Sequence, residues 1–237
     1  MHEISIKAEK LFDFLGIPVT NALLLSTVVT LILVLFGLYL RKKITLEPAG
    51  AQNFIELLLE KLLNLMDSVL GSRELSERYL PLIATVFIFI ITSNWFGLLP
   101  IVGSVGIGDG EHWTPLFRSP AADLNFTMAL ATISVFGVNL LGALALGTKK
   151  YFSRFFTSVV GPLEFFSEFI KIISFSFRLF GNVFAGEVLL IIVGFLIPYF
   201  IPLPFLFLEL FVGFIQAFIF SMLTLVFVAM AVKEEAH

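Results

Sequence analysis

The chain is 237 residues long, 58% hydrophobic and 14% charged, with a net charge of -3, no cysteine and a mean hydropathy of +1.00. That balance is far from a soluble domain and predicts an all-α membrane protein that crosses the bilayer several times. It also excludes classes of chemistry. Without cysteine there is no disulfide, thiolate nucleophile or thiolate metal site. His2, His112 and His237 fall at the two ends and in a loop, which is no arrangement for a metal centre. No basic run exceeds Arg41, Lys42 and Lys43, so nothing suits nucleic acid.

Residues 1–19 read as an outer N-terminal segment ahead of a first span over 20–40, which stops at Arg41, Lys42 and Lys43. Its acidic approach (Glu3, Glu9, Asp13), its length and the lack of a small-x-small cleavage pattern mark it as a retained helix. The positive-inside rule places its basic end in the cytoplasm and the N-terminus outside. Over 48–71 the polar residues Asn53, Glu56, Glu60, Asn64 and Asp67 recur every three or four positions opposite a Leu-rich face. This predicts an amphipathic helix along the inner surface, with a neighbouring subunit rather than anionic lipid on its polar side.

A second span over 80–99 carries Asn94 near its outer end, and the Gly-rich stretch Gly103 to Ser119 makes an exterior loop. The third span, 124–146, starts beside Asp123 and sets Asn125, Thr132 and Asn139 on one face. A basic inner loop with Lys149, Lys150 and Arg154 follows. Residues 161–197 then read as one helix of ~55 Å, nearly twice the ~30 Å hydrocarbon thickness, which must tilt, kink or lie along the membrane. Pro198, Pro202 and Pro204 mark a turn before a last helix over 205–232, ending at Lys233, Glu234 and Glu235. The whole is a single membrane domain with a cytoplasmic C-terminus.

The long helix holds the chemistry. Glu164, Ser167, Lys171, Ser174, Arg178, Asn182 and Gly186 follow one another at spacings of three and four and share a stripe. An arginine at bilayer depth costs ~3 kcal/mol or more and does not deprotonate, so it marks function. Glu187 lies about two and a half turns further on, on the other side of the helix. If the prolines close an antiparallel hairpin, a constant register pairs Arg178 with Gln216 and Glu187 with Glu209. Two carboxylates facing each other suit proton sharing. Each element also has a plainer reading: Asn94, Asn139 and Gln216 as interhelical hydrogen-bond glue, Glu164, Glu168 and Lys171 as interfacial charges, and Arg178 in an ion pair with Glu187, which helical geometry opposes.

The run Ser176 to Glu187 (SFRLFGNVFAGE), Gln216 to Phe220 (QAFIF), the LLP that follows the Asn94 region and Pro120 to Asn125 (PAADLN) resemble subunit a of the F-type ATP synthase membrane sector. The resemblance covers most of the chain from Pro48 onward. It implies a stator against which a ring of c subunits turns, held with peripheral-stalk b subunits and the rest of the F1Fo complex in lipid of a bacterial plasma or inner membrane. It implies no catalysis and no cofactor or metal in this chain, the translocated proton being the cargo. Arg178 matches the essential arginine facing the ring carboxylates. Glu187, Glu209 and Gln216 match the outer half-channel, with Asn94, Asp123 and Asn125 at its mouth. Glu164, Lys171 and Ser174 match the inner side, and Asn182 lies beside the arginine. The absence of a G-x-x-x-x-G-K-[ST] loop puts nucleotide chemistry elsewhere. A secondary transporter would need an inverted repeat, an intramembrane enzyme a nucleophile and base, and a plain scaffold would leave Arg178 without a purpose.

Overall fold

The computed structural model describes residues 8–14, 16–46, 48, 50–108, 113–147, 161–197 and 199–233. The histidines, the basic loop with Lys149, Lys150 and Arg154, Pro198, Glu234 and Glu235 lie outside them. The described chain is an all-α polytopic membrane protein with six long helices and two small hairpins. The helices are α1 (Asn21–Lys42), α2 (Ala51–Leu70), α3 (Arg73–Gly97), α4 (Leu124–Leu146), α5 (Gly161–Leu196) and α6 (Pro202–Lys233). All but α2 are long and apolar enough to cross a membrane.

Local chemistry sets most of the helix ends. Thr20 caps α1 by accepting the Leu23 N–H at 3.2 Å, and Arg41 and Lys42 occupy its last turn, where cations complement the exposed carbonyls. α2 stops at Gly71, which adopts φ +74 and returns its N–H to the Asp67 carbonyl at 2.8 Å. Ser72 then starts α3. That helix begins at Arg73, seven residues before the hydropathy of the second span, because its first two turns carry Arg73, Glu74, Glu77 and Arg78. It continues through Pro81, and the Thr85 hydroxyl donates to the Pro81 carbonyl at 2.6 Å. Asp123 caps α4, its carboxylate accepting the Asn125 N–H at 2.9 Å.

The helices assemble around α6. Its apolar window is 56% buried against 11% for α5 and 17% for α1, so α6 is central and the other two are peripheral. Two apolar clusters hold the bundle. One joins Leu62 and Met66 of α2 to Tyr79 and Ile83 of α3, Val138 of α4 and Leu225, Val228 and Val232 of α6. The other joins Phe87 and Ile90 of α3, Ala131 of α4, Phe175 and Leu179 of α5 and Ala217 and Phe220 of α6. The Leu-rich face of α2 thus packs on protein, while Asn53, Glu56, Glu60 and Asn64 are exposed.

Two elements have no counterpart in the hydropathy pattern. Lys10–Phe14 (β1) and Ile17–Thr20 (β2) form an antiparallel hairpin leading into α1. Gly106–Ile107 (β3) and Thr114–Pro115 (β4) tie the loop after α3, and a single 3-10 turn over Pro120–Ala122 precedes α4. These pieces cover the end of the bundle where α1 begins and α3 ends.

Candidate functional site

Antiparallel packing of α5 on α6 is carried by Phe175, whose ring lies 4.8 Å from Phe220 and stacks on Phe227 at 5.5 Å. Toward the loop that joins them, the contact turns polar. Asn182 donates its amide to the Gln216 carbonyl oxygen at 2.5 Å. Gln216 is 1% exposed, and its amide nitrogen has no hydrogen-bond partner among the described residues. One turn on, Gly186 is buried against Glu209, and a Cβ built at Gly186 would fall inside that carboxylate. Glycine here is what lets a glutamate sit between the two helices.

Beyond Glu209 a cavity of about 440 Å³ opens at the end of the bundle covered by the hairpins. Its ionisable lining is Glu187 of α5, Glu209 of α6, Arg118 of the segment before the 3-10 turn and Glu9 beside β1. Asn94 of α3 and Asn21 of α1 contribute amides. Asn94 is 3% exposed and donates to the Gly213 carbonyl at 3.1 Å, leaving its own carbonyl oxygen without a partner among the described residues. Trp95 donates to the Leu210 carbonyl at 3.1 Å, so α3 grips the first half of α6 twice. Glu187 is paired across the cavity with Arg118, Oε2 to Nε at 3.8 Å.

Arg178 lies on a different side of α5. It is exposed, donates to the Ser174 hydroxyl at 3.4 Å and has no carboxylate partner among the described residues. Around it Ile170, Ile173 and Phe177 of the same helix are 51% to 65% exposed. An uncompensated guanidinium on an apolar, uncovered helix face has no place against hydrocarbon alone. Further toward the start of α5, Lys171 pairs with Glu168 at 2.6 Å and lies 4.4 Å from the Phe227 ring, and Glu168 also accepts from Asn139 of α4 at 3.0 Å.

A family model described as "ATP synthase A chain" matches residues 23–229. Proteins named ATP synthase subunit a are similar along nearly the whole length: that of Moorella thermoacetica is 33% identical over 94% of this chain and 96% of its own. That of Mycobacterium bovis is 34% identical over 99% and 97%, and that of Campylobacter jejuni 36% identical over 88% and 89%. This chain belongs to the ATP synthase A chain family.

Within this member of the ATP synthase A chain family, the structure rearranges some of the expected pairs. Gln216 hydrogen-bonds Asn182, one turn along from Arg178, and Arg178 turns to Ser174 instead. Glu209 nests against Gly186, and Glu187 pairs with Arg118. A constant hairpin register brings Glu209 opposite Gly186 and Glu187 alike, and the gap at the glycine decides which of these neighbours it nests against. Asp123 and Asn125 do not line the cavity. Asp123 is buried as the cap of α4, taking both the Asn125 N–H and its side-chain amide at 3.2 Å. Glu164 is half-buried, its backbone carbonyl accepting from Ser167 at 2.7 Å.

Sequence reasoning did not select Arg118, Glu9, Asn21 or Glu168. Arg118 carried a signal, a lone basic residue two positions before the PAADLN motif. Glu9 and Asn21 carried none, since only the hairpin fold brings them to the cavity.

Proposed function

We propose that this chain is the ion-conducting stator subunit of a rotary ATP synthase, offering two offset half-channels separated by Arg178. One observation supports the reading above the others: α5 carries a cavity with Glu187 and Glu209 on one side and an uncovered arginine amid apolar residues on another. The cavity is the outer half-channel, with Asn94 on its wall, and Gln216, two turns beyond Glu209 along α6, lies past its lining toward Arg178. The face around Arg178 receives the ring of c subunits, and Asn182 bridges the two regions through Gln216. Ser174, Lys171 and Glu164 lead to the inner side. Asp123 and Asn125 act by holding the start of α4 beneath the outer cavity rather than by lining it.

The physical chemistry is that of a rotary gate. A permanent cation favours the deprotonated form of a ring carboxylate passing it, while lipid elsewhere on the ring favours the protonated form. A proton arriving from the outer cavity neutralises one ring site, rides the ring almost fully round and leaves on the inner side. Each charge crossing ~100 mV releases ~2.3 kcal/mol, so several per turn are needed to drive ATP synthesis in a partner head. This subunit performs no bond chemistry of its own. Peripheral-stalk b subunits suit the exposed polar face of α2. The membrane is a bacterial plasma membrane, as the resemblance implies, and the N-terminus lies outside with the C-terminus cytoplasmic, an orientation favoured by ten basic residues on the inner side against three on the outer.

The test is ATP-driven proton pumping and passive proton flux in vesicles carrying the assembled complex with Arg178→Ala, Arg178→Lys or wild type. The expected outcome is loss of pumping in the Ala variant with assembly intact and a raised passive leak. Normal coupled pumping in that variant would return the chain to the transporter or scaffold class.

A further inference from the structure

The cavity holds a cation that the rotary scheme does not use. Arg118 is 8% exposed, yet it comes from the loop that closes the cavity and not from a membrane helix. Its position is built by several contacts. The turn residue Ser119 packs so closely on α3 that a Cβ at Gly97 would collide with its side chain, which draws the segment down into the bundle. Asn21, fully buried at the start of α1, donates to the Pro115 carbonyl at 3.3 Å and to the Glu9 carboxylate at 3.4 Å, locking the same loop to the N-terminal hairpin. The result is a guanidinium held 3.8 Å from the Glu187 carboxylate.

We propose that Arg118 is a positioning residue of the outer cavity, which holds the Glu187 carboxylate in place and sets the external pH over which Glu187 accepts protons. The inference rests on the reading of the cavity as the outer half-channel. Among the described residues, the ionisable groups that share the cavity with Glu187 are Arg118, Glu209 of α6 and Glu9 beside β1. α3 and α1 bring only the neutral amides Asn94 and Asn21. Arg178, on the same helix as Glu187, is nine residues away and turned to Ser174. Among the described residues Arg118 is the one cation on a lining that also holds three carboxylates, so its charge bears most on the carboxylate nearest to it. Glu187 is the carboxylate with which it makes its ion pair. Arg118 itself does not deprotonate, so it can neither take nor pass the proton, and acts only through its neighbour.

The experiment is ATP synthesis by the reconstituted complex at a fixed total driving force, with the pH on the outer side varied, for wild type, Arg118→Gln and Arg118→Lys. Removing the cation takes away the charge held beside Glu187, so the outer-pH profile of Arg118→Gln is expected to be displaced by roughly one unit or more. Arg118→Lys keeps the charge on a shorter, rotatable stem without the planar fork, and its profile is expected to move the same way by less. If no variant that assembles displaces the profile, or if both lower the rate by one factor at every pH, Arg118 is only a structural tie and the inference fails. Arg178→Ala, run alongside, separates the two levels. Coupled synthesis surviving there overturns the stator reading itself, whereas its loss together with unmoved Arg118 profiles overturns this inference alone.

Discussion

At the scale of single residues, two glycines decide where polar groups meet. Gly186 has no room for a methyl group because the Glu209 carboxylate occupies its Cβ position, while a Cβ at Gly213 would reach 3.2 Å from the Asn94 Cβ and ask only a small shift. Overpacking of this kind costs about 1–3 kcal/mol, and at Gly186 it displaces a group of the proposed proton path. Gly186→Ala is therefore expected to lower ATP-driven pumping by about tenfold or more at unchanged complex content, with Gly213→Ala milder. Wild-type pumping by Gly186→Ala would show that Glu209 does not need its seat between the helices. Helical spacing alone placed Arg178 and Glu187 on different sides of α5, since a rotation of 100° per residue is independent of tertiary context. It could not find the ion partner of Glu187, because Arg118 lies 69 positions earlier and reaches it through a loop.

At the scale of elements, the tightest joint is the elbow between α2 and α3. Gly71 sits at φ +74 with nothing near its Cβ position, so the cost of a side chain there is conformational and not steric. Gly71→Ala should destabilise the protein by about 1–2 kcal/mol, read from the denaturation midpoint of the purified protein, and Gly71→Asn by less, because asparagine tolerates the left-handed conformation. Equal stability of all three would place the elbow outside the cooperative unit. Arg73 reinforces the same turn, bonding Asp67 at 2.9 Å and Glu77 at 3.3 Å, although exposed pairs of this kind contribute little. These charges are also why hydropathy starts the second span late: a helix that begins in the interface looks polar in a window meant for hydrocarbon. The N-terminal hairpin escaped for the opposite reason. Its strands are five and four residues long, too short for a periodicity to stand out.

For the whole molecule, the uneven cover of the helices is the main result. α6 is the most buried of the spans, while α5 leaves Leu163, Phe166, Ile170 and Phe177 at 52% to 69% exposure along the side that also bears Arg178. The chain has no native cysteine, so single cysteines report cleanly. In the assembled complex, Phe177→Cys is expected to cross-link to a cysteine placed near the carboxylate of a ring subunit. Leu179→Cys, at a position with 0% exposure, is expected not to. Cross-linking at both sites or at neither would place the partner on another face.

Composition and hydropathy by themselves determine that this is a polytopic helical membrane protein, since apolar length measured against bilayer thickness needs no knowledge of neighbours. Periodicity determines which residues share a side of a helix, and so the separation of Arg178 from Glu187. Packing between distant segments decides the rest: the seat of Glu209 at Gly186, the Asn182 to Gln216 bond, the capping use of Asp123 and the arrival of Arg118, Glu9 and Asn21 at one cavity. Those contacts depend on which surfaces of separate elements fit together. One-dimensional spacing carries no term for that.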